Sequence, residues 1–181
     1  MVISVVGETD KRPVIYTLMR LFQQLGDCAL ITNDRHLRRL IENGGDVGHF
    51  QNIFIAVTDA SQDEVFATIG YSKNDFENLI FDCYDQIPEY SDMVIYVGGA
   101  GGISEDLQVL LDMQSEYKTI NLGFGDKNIP YTKEMFVACE MTEGLKHFVP
   151  INPQIASRIA TFLTEPLNIP AKDIVKVVMS K

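Results

Sequence analysis

The sequence has no tryptophan and only three cysteines and three histidines, which limits the chemistry it can support. The cysteines lie far apart, each inside an apolar segment, at Cys28, Cys83 and Cys139. The histidines are equally scattered, at His36, His49 and His147. A zinc site needs ligands at short, regular spacings, and these residues show none. We therefore predict buried, unpaired thiols in a reducing compartment, and neither a structural disulfide nor a zinc site.

Basic residues are also few, because 15 lysines and arginines stand against 25 acidic residues, a formal net charge of −10 at pH 7. The imbalance is concentrated in residues 51–117, which carry thirteen acidic residues and one lysine. A surface of this sign repels the phosphates of nucleic acids. The sequence therefore predicts no nucleic-acid partner.

No apolar run approaches the length of about 20 residues that a membrane-spanning helix needs. The N-terminus leads directly into a short apolar segment, Val2 to Val6, without the basic start and longer apolar stretch of a secretory signal. We therefore expect a cytoplasmic protein. The last segment, Ala171 to Lys181, predicts an amphipathic helix that could dock on a membrane surface, although packing on the protein core is the favoured interpretation.

The chain opens with a strand, a loop, a helix and a second strand. Val2 to Val6 and Cys28 to Thr32 are short apolar runs typical of strands buried in a parallel sheet. Between them, Val14 to Leu25 has apolar residues at helical spacing, with Pro13 at a favoured first position and Gly26 after its end. The first loop of such a unit usually faces a ligand.

The rest of the chain continues this alternation of strands and helices. Further strands are predicted at Ile53 to Val57, Leu79 to Phe81, Met93 to Val97, Thr119 to Phe124 and His147 to Val149. Further helices are predicted at Ser104 to Tyr117, Thr132 to Met141 and Pro153 to Leu163. Because no repeat or linker divides the chain, we predict one α/β domain over residues 1–181, with a mostly parallel sheet of about seven strands and helices on both faces.

The first loop has the position of a phosphate-binding loop but lacks most of its chemistry. Such loops use several glycines to aim backbone amides at phosphates, a lysine to neutralise them, and a Ser or Thr at the helix start to hold magnesium. Here no second glycine follows Gly7 before the helix, and residues 13–15, Pro-Val-Ile, stand where the lysine and hydroxyl are expected. Lys11 and Arg12 supply positive charge, but two acidic neighbours in the same loop oppose it.

Three other segments are candidate binding sites. Asp82 follows a predicted strand at the edge where parallel sheets bind ligands, so it could hold magnesium or orient a water, or merely cap the chain. The stretch Gly98 to Gly102 could cradle an anion with backbone amides, or be only a flexible loop. A third segment is rich in tyrosines and acidic residues, and it could be either a surface that binds a protein partner or an exposed loop. Its candidate residues are Tyr84, Asp85, Glu89 and Tyr90.

The order of these segments resembles the ParA/MinD family of deviant P-loop ATPases over almost the whole chain. The first strand, loop and helix are similar to the family's phosphate-loop unit, and Leu30 to Asp34 resembles its second strand with an acidic switch residue. Leu79 to Cys83 resembles the magnesium-site strand, and Asp92 to Val97 resembles the strand after the second switch. His147 to Pro153 is similar to the last strand and the adenine-side loop.

The resemblance implies a P-loop NTPase fold, ATP and magnesium as ligands, and a homodimer. It also implies protein partners in a pilus, secretion, conjugation or partition machine, with a peripheral location at the inner face of the membrane. Nucleotide contacts would fall on Gly7, Lys11, Arg12, Pro150 and Asn152. Magnesium would lie at Asp82, and Asp34 would be the catalytic acid of an active member.

The chain departs from the family at the residues that carry nucleotide chemistry. The family's loop has a signature lysine near its start and another before the helix hydroxyl, whereas this chain has one Lys-Arg pair in a shortened loop. The main hypothesis is therefore a non-catalytic scaffold, a pseudo-ATPase similar to degenerate pilus and secretion localisation members. One alternative is a divergent magnesium-dependent ATPase that uses Lys11 and Arg12 at the phosphate. The other is an anion- or nucleotide-binding α/β module that uses Gly98 to Gly102.

Overall fold

The centre of the molecule is a mostly parallel sheet. The computed structural model describes residues 1–61, 64–82, 87–99, 105, 108–109, 112, 118–123, 129–130 and 132–180, and within them seven strands form this one sheet. The strands are β1 Val2–Val6, β2 Cys28–Thr32, β3 Val47–Phe50, β4 Ile53–Val57, β5 Asn78–Asp82, β6 Met93–Gly98 and β7 Lys118–Gly123. Their order is β3-β4-β2-β5-β1-β6-β7, and only β3 runs antiparallel to its neighbour. The predicted α/β fold is confirmed.

Successive residues of the central strands face opposite sides of the sheet, and both sides are covered. On β1, Ile3 and Val5 belong to the larger apolar core and Val2 to the smaller one. β5 alternates in the same way, with Ile80 on the larger side and Leu79 on the smaller. Every residue of β1, β2, β4 and β5 is buried. This double burial explains why these strands are continuous apolar runs in the sequence.

Helices cover both faces of the sheet. Among the described residues, they are α1 Arg12–Phe22, α2 Val65–Ile69, α3 Lys133–Leu145, α4 Pro153–Leu167 and α5 Ala171–Met179. Short 3-10 turns lie at Arg35–Leu40, Glu42–Gly44 and Lys73–Asp75. The larger core lies between the sheet and α1, α3, α4 and α5, and the smaller core lies under α2. The result is a three-layer α/β/α arrangement.

One predicted strand is wrong and one strand was missed. The segment His147 to Val149 is not a strand, because Phe148 instead packs edge-to-face on Phe50 with 4.9 Å between ring centroids. The strand that the sequence analysis did not predict is β3, at the edge of the sheet. Its residues Gly48 and His49 interrupt the apolar pattern, and only its last residue is buried.

The predicted helix bounds were also inexact. α1 begins at Arg12 rather than Val14 because the carbonyl of Lys11 already accepts bonds from the amides of Val14 and Ile15, both at 3.0 Å. It ends at Phe22, before the predicted end. α3 and α4 each extend four residues beyond the predictions, to residues 145 and 167. Most of the helix predicted at residues 104–117 falls outside the described residues.

The C-terminal helix α5 packs on the protein, as the favoured interpretation predicted. Ile174 and Val178 are each 1% exposed in the larger core, and Val175 and Val177 pack partly against it. The apolar side of α5 is therefore directed inward rather than toward a membrane surface. Throughout the described ranges, the helices lack the combination of length and apolarity that crossing a bilayer requires.

Two of the three cysteines are buried and unpaired, as predicted. Cys28 and Cys139 are each 2% exposed, whereas Cys83 lies outside the described residues. Burial raises the pKa of both thiols to about 12. Because the thiolate is the reactive form, we expect iodoacetamide at about pH 8 to leave both unmodified in the folded protein and to alkylate both in urea. Peptide mass spectrometry measures this, and fast alkylation of either thiol in the folded protein would contradict it.

Candidate functional site

The loop after β1 runs close to β6 and is hydrogen-bonded to it. Gly7 has φ +141°, and a Cβ at this position would lie 2.0 Å from the carbonyl oxygen of Val97. The hydroxyl of Thr9 donates to that same carbonyl oxygen at 3.0 Å. Glycine at position 7 is therefore required by the close approach of two backbones, independently of any ligand.

Lys11 lies at the end of this loop and forms an ion pair with Asp82. Its Nζ is 2.7 Å from Asp82 Oδ1, and among the described residues this oxygen has no other partner. Asp82 is the last residue of β5 and is fully buried. Burial raises the pKa of the Asp82 carboxyl, and the Lys11 ammonium and the Thr32 hydroxyl oppose that rise. The structure thus brings together the predicted phosphate-site lysine and the predicted metal-site acid.

Hydrogen bonds continue from Asp82 to Asp34 through Thr32. The Thr32 hydroxyl donates to Asp82 Oδ2 at 2.6 Å and accepts from the Asp34 amide at 2.9 Å. The Asp34 side chain accepts from the His36 amide at 2.9 Å, where it caps the 3-10 turn that begins at residue 35. Asp34 therefore lies near the loop, as the resemblance implies, and its carboxylate has a local structural role.

Arg12 begins α1 and is held by two carboxylates. Its Nε and Nη2 donate to Asp10, at 3.0 Å and 2.7 Å, and its Nη1 donates to Glu143 Oε1 at 2.8 Å. The hydroxyl of Tyr16 donates to the same Glu143 oxygen at 2.8 Å. The hydrogen bonding that Arg12 donates to Asp10 is the largest cause that raises the pKa of Arg12. The guanidinium thus binds acids of its own chain with the planar geometry that would suit a phosphate.

Glu143 is a site residue that the sequence analysis missed. It lies on α3, and its side chain is 2% exposed. Its second oxygen, Oε2, has no hydrogen-bond partner among the described residues, and Arg39 Nη1 approaches it to 3.7 Å. One signal could have identified it, since Glu143 follows Cys139 by four residues on the side of the helix predicted to be buried.

A cavity of about 350 Å³ opens over the loop. It is lined by Gly7, Glu8, Thr9, Asp10, Lys11, Arg12, Asn33, Asp34 and His36. Three acidic side chains border this cavity, and its lysine and arginine are both engaged in ion pairs. A triphosphate there would meet negative charge from Glu8 and Asp34 without a free cation from the loop.

The side chains at the loop do not fit a magnesium site in this arrangement. Magnesium requires several oxygen ligands in near-octahedral geometry. Both oxygens of Asp82 already have partners, and the Thr9 hydroxyl is directed at a backbone carbonyl. Among the residues whose positions are described, no three acidic, histidine or cysteine side chains gather closely enough to hold a metal.

Pro150 and Asn152, predicted on the adenine side, lie next to the start of α1. They line a small cavity of about 20 Å³ together with Pro13 and Tyr16. Asn152 caps α4, because its Oδ1 accepts from the amides of residues 154 and 155 at 3.0 Å and 3.1 Å. Neither residue lines the larger cavity over the loop.

The structure describes only some of the remaining candidates. Tyr84 and Asp85 fall outside the described residues, as does most of the stretch Gly98 to Gly102. Glu89 is exposed. Tyr90 is half-buried, its ring centroid is 6.2 Å from that of Phe66, and Lys73 Nζ lies 5.0 Å above it. At Gly98 itself, a Cβ would approach the ring of Tyr96 to 2.5 Å, so glycine there makes room for that ring.

The chain matches no protein-family model and no curated protein. Among solved structures it is similar to the MinD cell division protein of Aquifex aeolicus, with a TM-score of 0.51 and 12% sequence identity over 98% of this chain and 95% of that one. It is similar to the same organism's MinC:MinD cell division protein complex, with a TM-score of 0.52 and 12% identity over 98% and 94%. Molybdopterin-guanine biosynthesis protein B matches with a TM-score of 0.36, 13% identity, and coverage of 80% and 99%.

The structural similarity to MinD extends over nearly the whole of both chains. Because the sequence identity is only 12%, this similarity is evidence for the fold alone. It agrees with the seven-stranded sheet and with the helices on both of its faces. The chain therefore has the three-layer α/β/α fold that is found in MinD.

Proposed function

We propose that this protein is a non-catalytic ParA/MinD-like scaffold that acts through protein contacts and neither binds nor hydrolyses ATP. One observation carries the proposal. Both cations of the first loop are held by carboxylates of the same chain, Lys11 by Asp82 and Arg12 by Asp10 and Glu143. The loop is thereby closed by internal ion pairs at the positions where the family binds nucleotide.

The energies of the competing contacts favour the internal pair of Lys11. A charge-assisted hydrogen bond from Lys11 to a phosphate would contribute about 1.5–3 kcal/mol. To make it, the ammonium would leave Asp82, which is fully buried. Separating a buried ion pair so that one charge remains uncompensated costs about 3–5 kcal/mol. The exchange is therefore unfavourable unless other contacts to the nucleotide compensate.

Arg12 does not supply those contacts. Its guanidinium already makes charge-assisted bonds to two acids, one of them the buried Glu143. Moving Arg12 toward a ligand would leave Glu143 with the Tyr16 hydroxyl and the distant Arg39 as its partners. The backbone offers no substitute, because the loop lacks the series of glycines that would turn several amides toward a phosphate.

The fold supports protein contacts as the mode of action. A MinD structure similar to this chain is that of a complex with MinC. By analogy, this scaffold binds protein partners of a positioning machine, of the pilus, secretion, conjugation or partition type. It works in the cytoplasm or at the inner face of the membrane, as a homodimer, and residues 1–181 form one domain.

Isothermal titration calorimetry tests the proposal directly. We expect no saturable heat when magnesium and ATP are titrated into the purified protein to about 1 mM. The control is a Lys11→Ala variant, shown to be folded by circular dichroism because it leaves Asp82 without its partner, and it should likewise give no saturable heat if the lysine is not a phosphate ligand. Saturable, magnesium-dependent binding that Lys11→Ala abolishes would contradict the proposal and support the divergent ATPase instead.

A further inference from the structure

One side of α3 carries an apolar ridge that the rest of the described chain leaves uncovered. The ridge consists of Val137, Met141 and Leu145, which are 39%, 47% and 55% exposed. Their four-residue spacing places them in one row along the helix. The opposite side of α3, which includes Met135 and Cys139, already packs in the larger core. The ridge therefore lies outside the packing that holds the fold together.

The surface beside the ridge leaves room for a close approach by another molecule. Gly144 lies within α3, and a Cβ at this position would meet no atom within 4 Å. Glycine inside a helix is less favourable than alanine, and no contact in the described chain requires it here. A groove of about 530 Å³ adjoins the ridge, and its lining includes Val137, Met141, Val149 and Pro150.

The charges beside the ridge are mainly acidic. Glu134 and Glu140 are exposed and form no ion pair within the part of the chain that the structure describes. Lys133 adds one positive charge at the start of the helix, where it lines the groove together with Glu134. Lys146, just after its end, donates to the carbonyl of Ile41 at 3.1 Å and so is directed away from the ridge. Around them, the whole chain carries a net charge of −10.

We propose that the ridge and its groove bind an amphipathic helix of a partner protein, one with an apolar face and basic residues beside it. From Val137 to Leu145 the ridge is about 12 Å long, which matches two turns of a helix lying in a groove. The apolar residues provide the contact area, and Glu134 and Glu140 select for basic flanks. This inference rests on the proposed function, because it names the class of partner that the scaffold binds.

A second copy of this chain fits the ridge less well. Where the twofold axis is perpendicular to both helices, two α3 helices run antiparallel, with the same flank of each helix side by side. If the pair is centred on Met141, Glu140 of one copy lies beside Glu140 of the partner subunit. Like charges at such short separation oppose association. Charge complementarity therefore favours a basic partner over self-association.

Two synthetic peptides test the inference. Both are helices of about 18 residues, five turns, with the same row of leucines; one has lysines and the other has glutamates beside that row. Each is titrated into the isotope-labelled full chain, and binding is followed from the amide resonances. We expect the lysine peptide to shift the resonances of residues 137–145 and to bind about tenfold more tightly than the glutamate peptide.

Variants of the ridge test whether the lysine peptide binds there and whether the two glutamates determine the preference for basic flanks. Met141→Asp should abolish binding of the lysine peptide, whereas Val47→Asp, at an equally exposed apolar residue of the edge strand β3, should leave it unchanged. The double variant Glu134→Lys/Glu140→Lys should reverse the preference toward the glutamate peptide. Thermal unfolding checks that each variant is folded.

Several outcomes would overturn the inference. These are equal affinity for the two peptides, no binding of either, and resonance shifts confined to other surfaces. A dimer seen by sedimentation and dissociated by Met141→Asp would show that a second copy occupies the ridge, which also overturns it. Nucleotide is absent from all these measurements. Failure of the peptides to bind therefore leaves the proposed function intact, and ATP binding in the calorimeter leaves the ridge inference intact.

Discussion

Replacing Lys11 with methionine is expected to lower the free energy of unfolding by about 3–5 kcal/mol at neutral pH. Methionine keeps the apolar stem but removes the ammonium that lies 2.7 Å from Asp82. The carboxylate of Asp82 is fully buried, so it cannot replace the lost partner with water. Urea unfolding followed by circular dichroism measures the change in free energy.

A second variant separates the loss of charge pairing from the loss of packing. Lys11→Met/Asp82→Asn removes both charges, and the amide oxygen can still accept the Thr32 hydroxyl, which now donates to Asp82 at 2.6 Å. We therefore expect the double variant to recover a large part of the lost stability. If Lys11→Met alone is as stable as the natural chain, the ion pair is not structural and the proposed function loses its main support.

The loss in the free energy of unfolding that we expect for Lys11→Met should also depend on pH. Burial already raises the pKa of Asp82 in the natural chain, and removing the ammonium raises it further. Between the carboxyl's unfolded pKa of about 4 and its raised value in the folded protein, the folded state binds the extra proton. The stability of Lys11→Met should therefore fall as pH rises through this interval and recover as pH falls.

Replacing Gly7 with alanine should be at least as damaging, with a loss of about 4 kcal/mol or more, or failure to fold. The added Cβ would lie 2.0 Å from the Val97 carbonyl oxygen, which belongs to the backbone of a central strand and cannot rotate away. The φ angle of +141° is also one that residues with a side chain rarely adopt. Soluble yield and the urea midpoint report the effect.

Gly70→Ala is the matched control for Gly7→Ala. Gly70 ends α2 with φ +73°, and a Cβ there would meet nothing within 4 Å. Only the backbone strain remains, so we expect a loss of about 1–2 kcal/mol. If Gly7→Ala is no more destabilising than Gly70→Ala, the loop relaxes away from β6 and the close approach is not a constraint.

Much of the fold could be predicted from the sequence because most strands are buried on both faces. Val2 to Val6, Cys28 to Thr32 and Ile53 to Val57 were predicted with their observed bounds, since double burial demands a continuous apolar run. The edge strand β3 has one neighbour and little burial, and Gly48 and His49 break its pattern. Partial burial leaves a weak signal, which is why this strand was missed.

The candidate site was predictable in its members but not in its pairings. Lys11, Arg12 and Asp82 could be singled out by residue type and by position in the strand–loop–helix order. That Lys11 and Asp82 neutralise each other depends on β1 and β5 being neighbours, which no local pattern in the sequence encodes. Glu143 was not predicted as a site residue because its partner Arg12 lies near the other end of the chain.

The internal ion pair of Lys11 has a consequence for how the protein is controlled. A counter-ion tethered to the same chain is present at a high effective concentration whatever the metabolic state of the cell. Under the proposed function, a scaffold closed in this way would keep one shape in starved and growing cells alike. Its timing would then have to come from outside, through how much of it is made and how abundant its partners are.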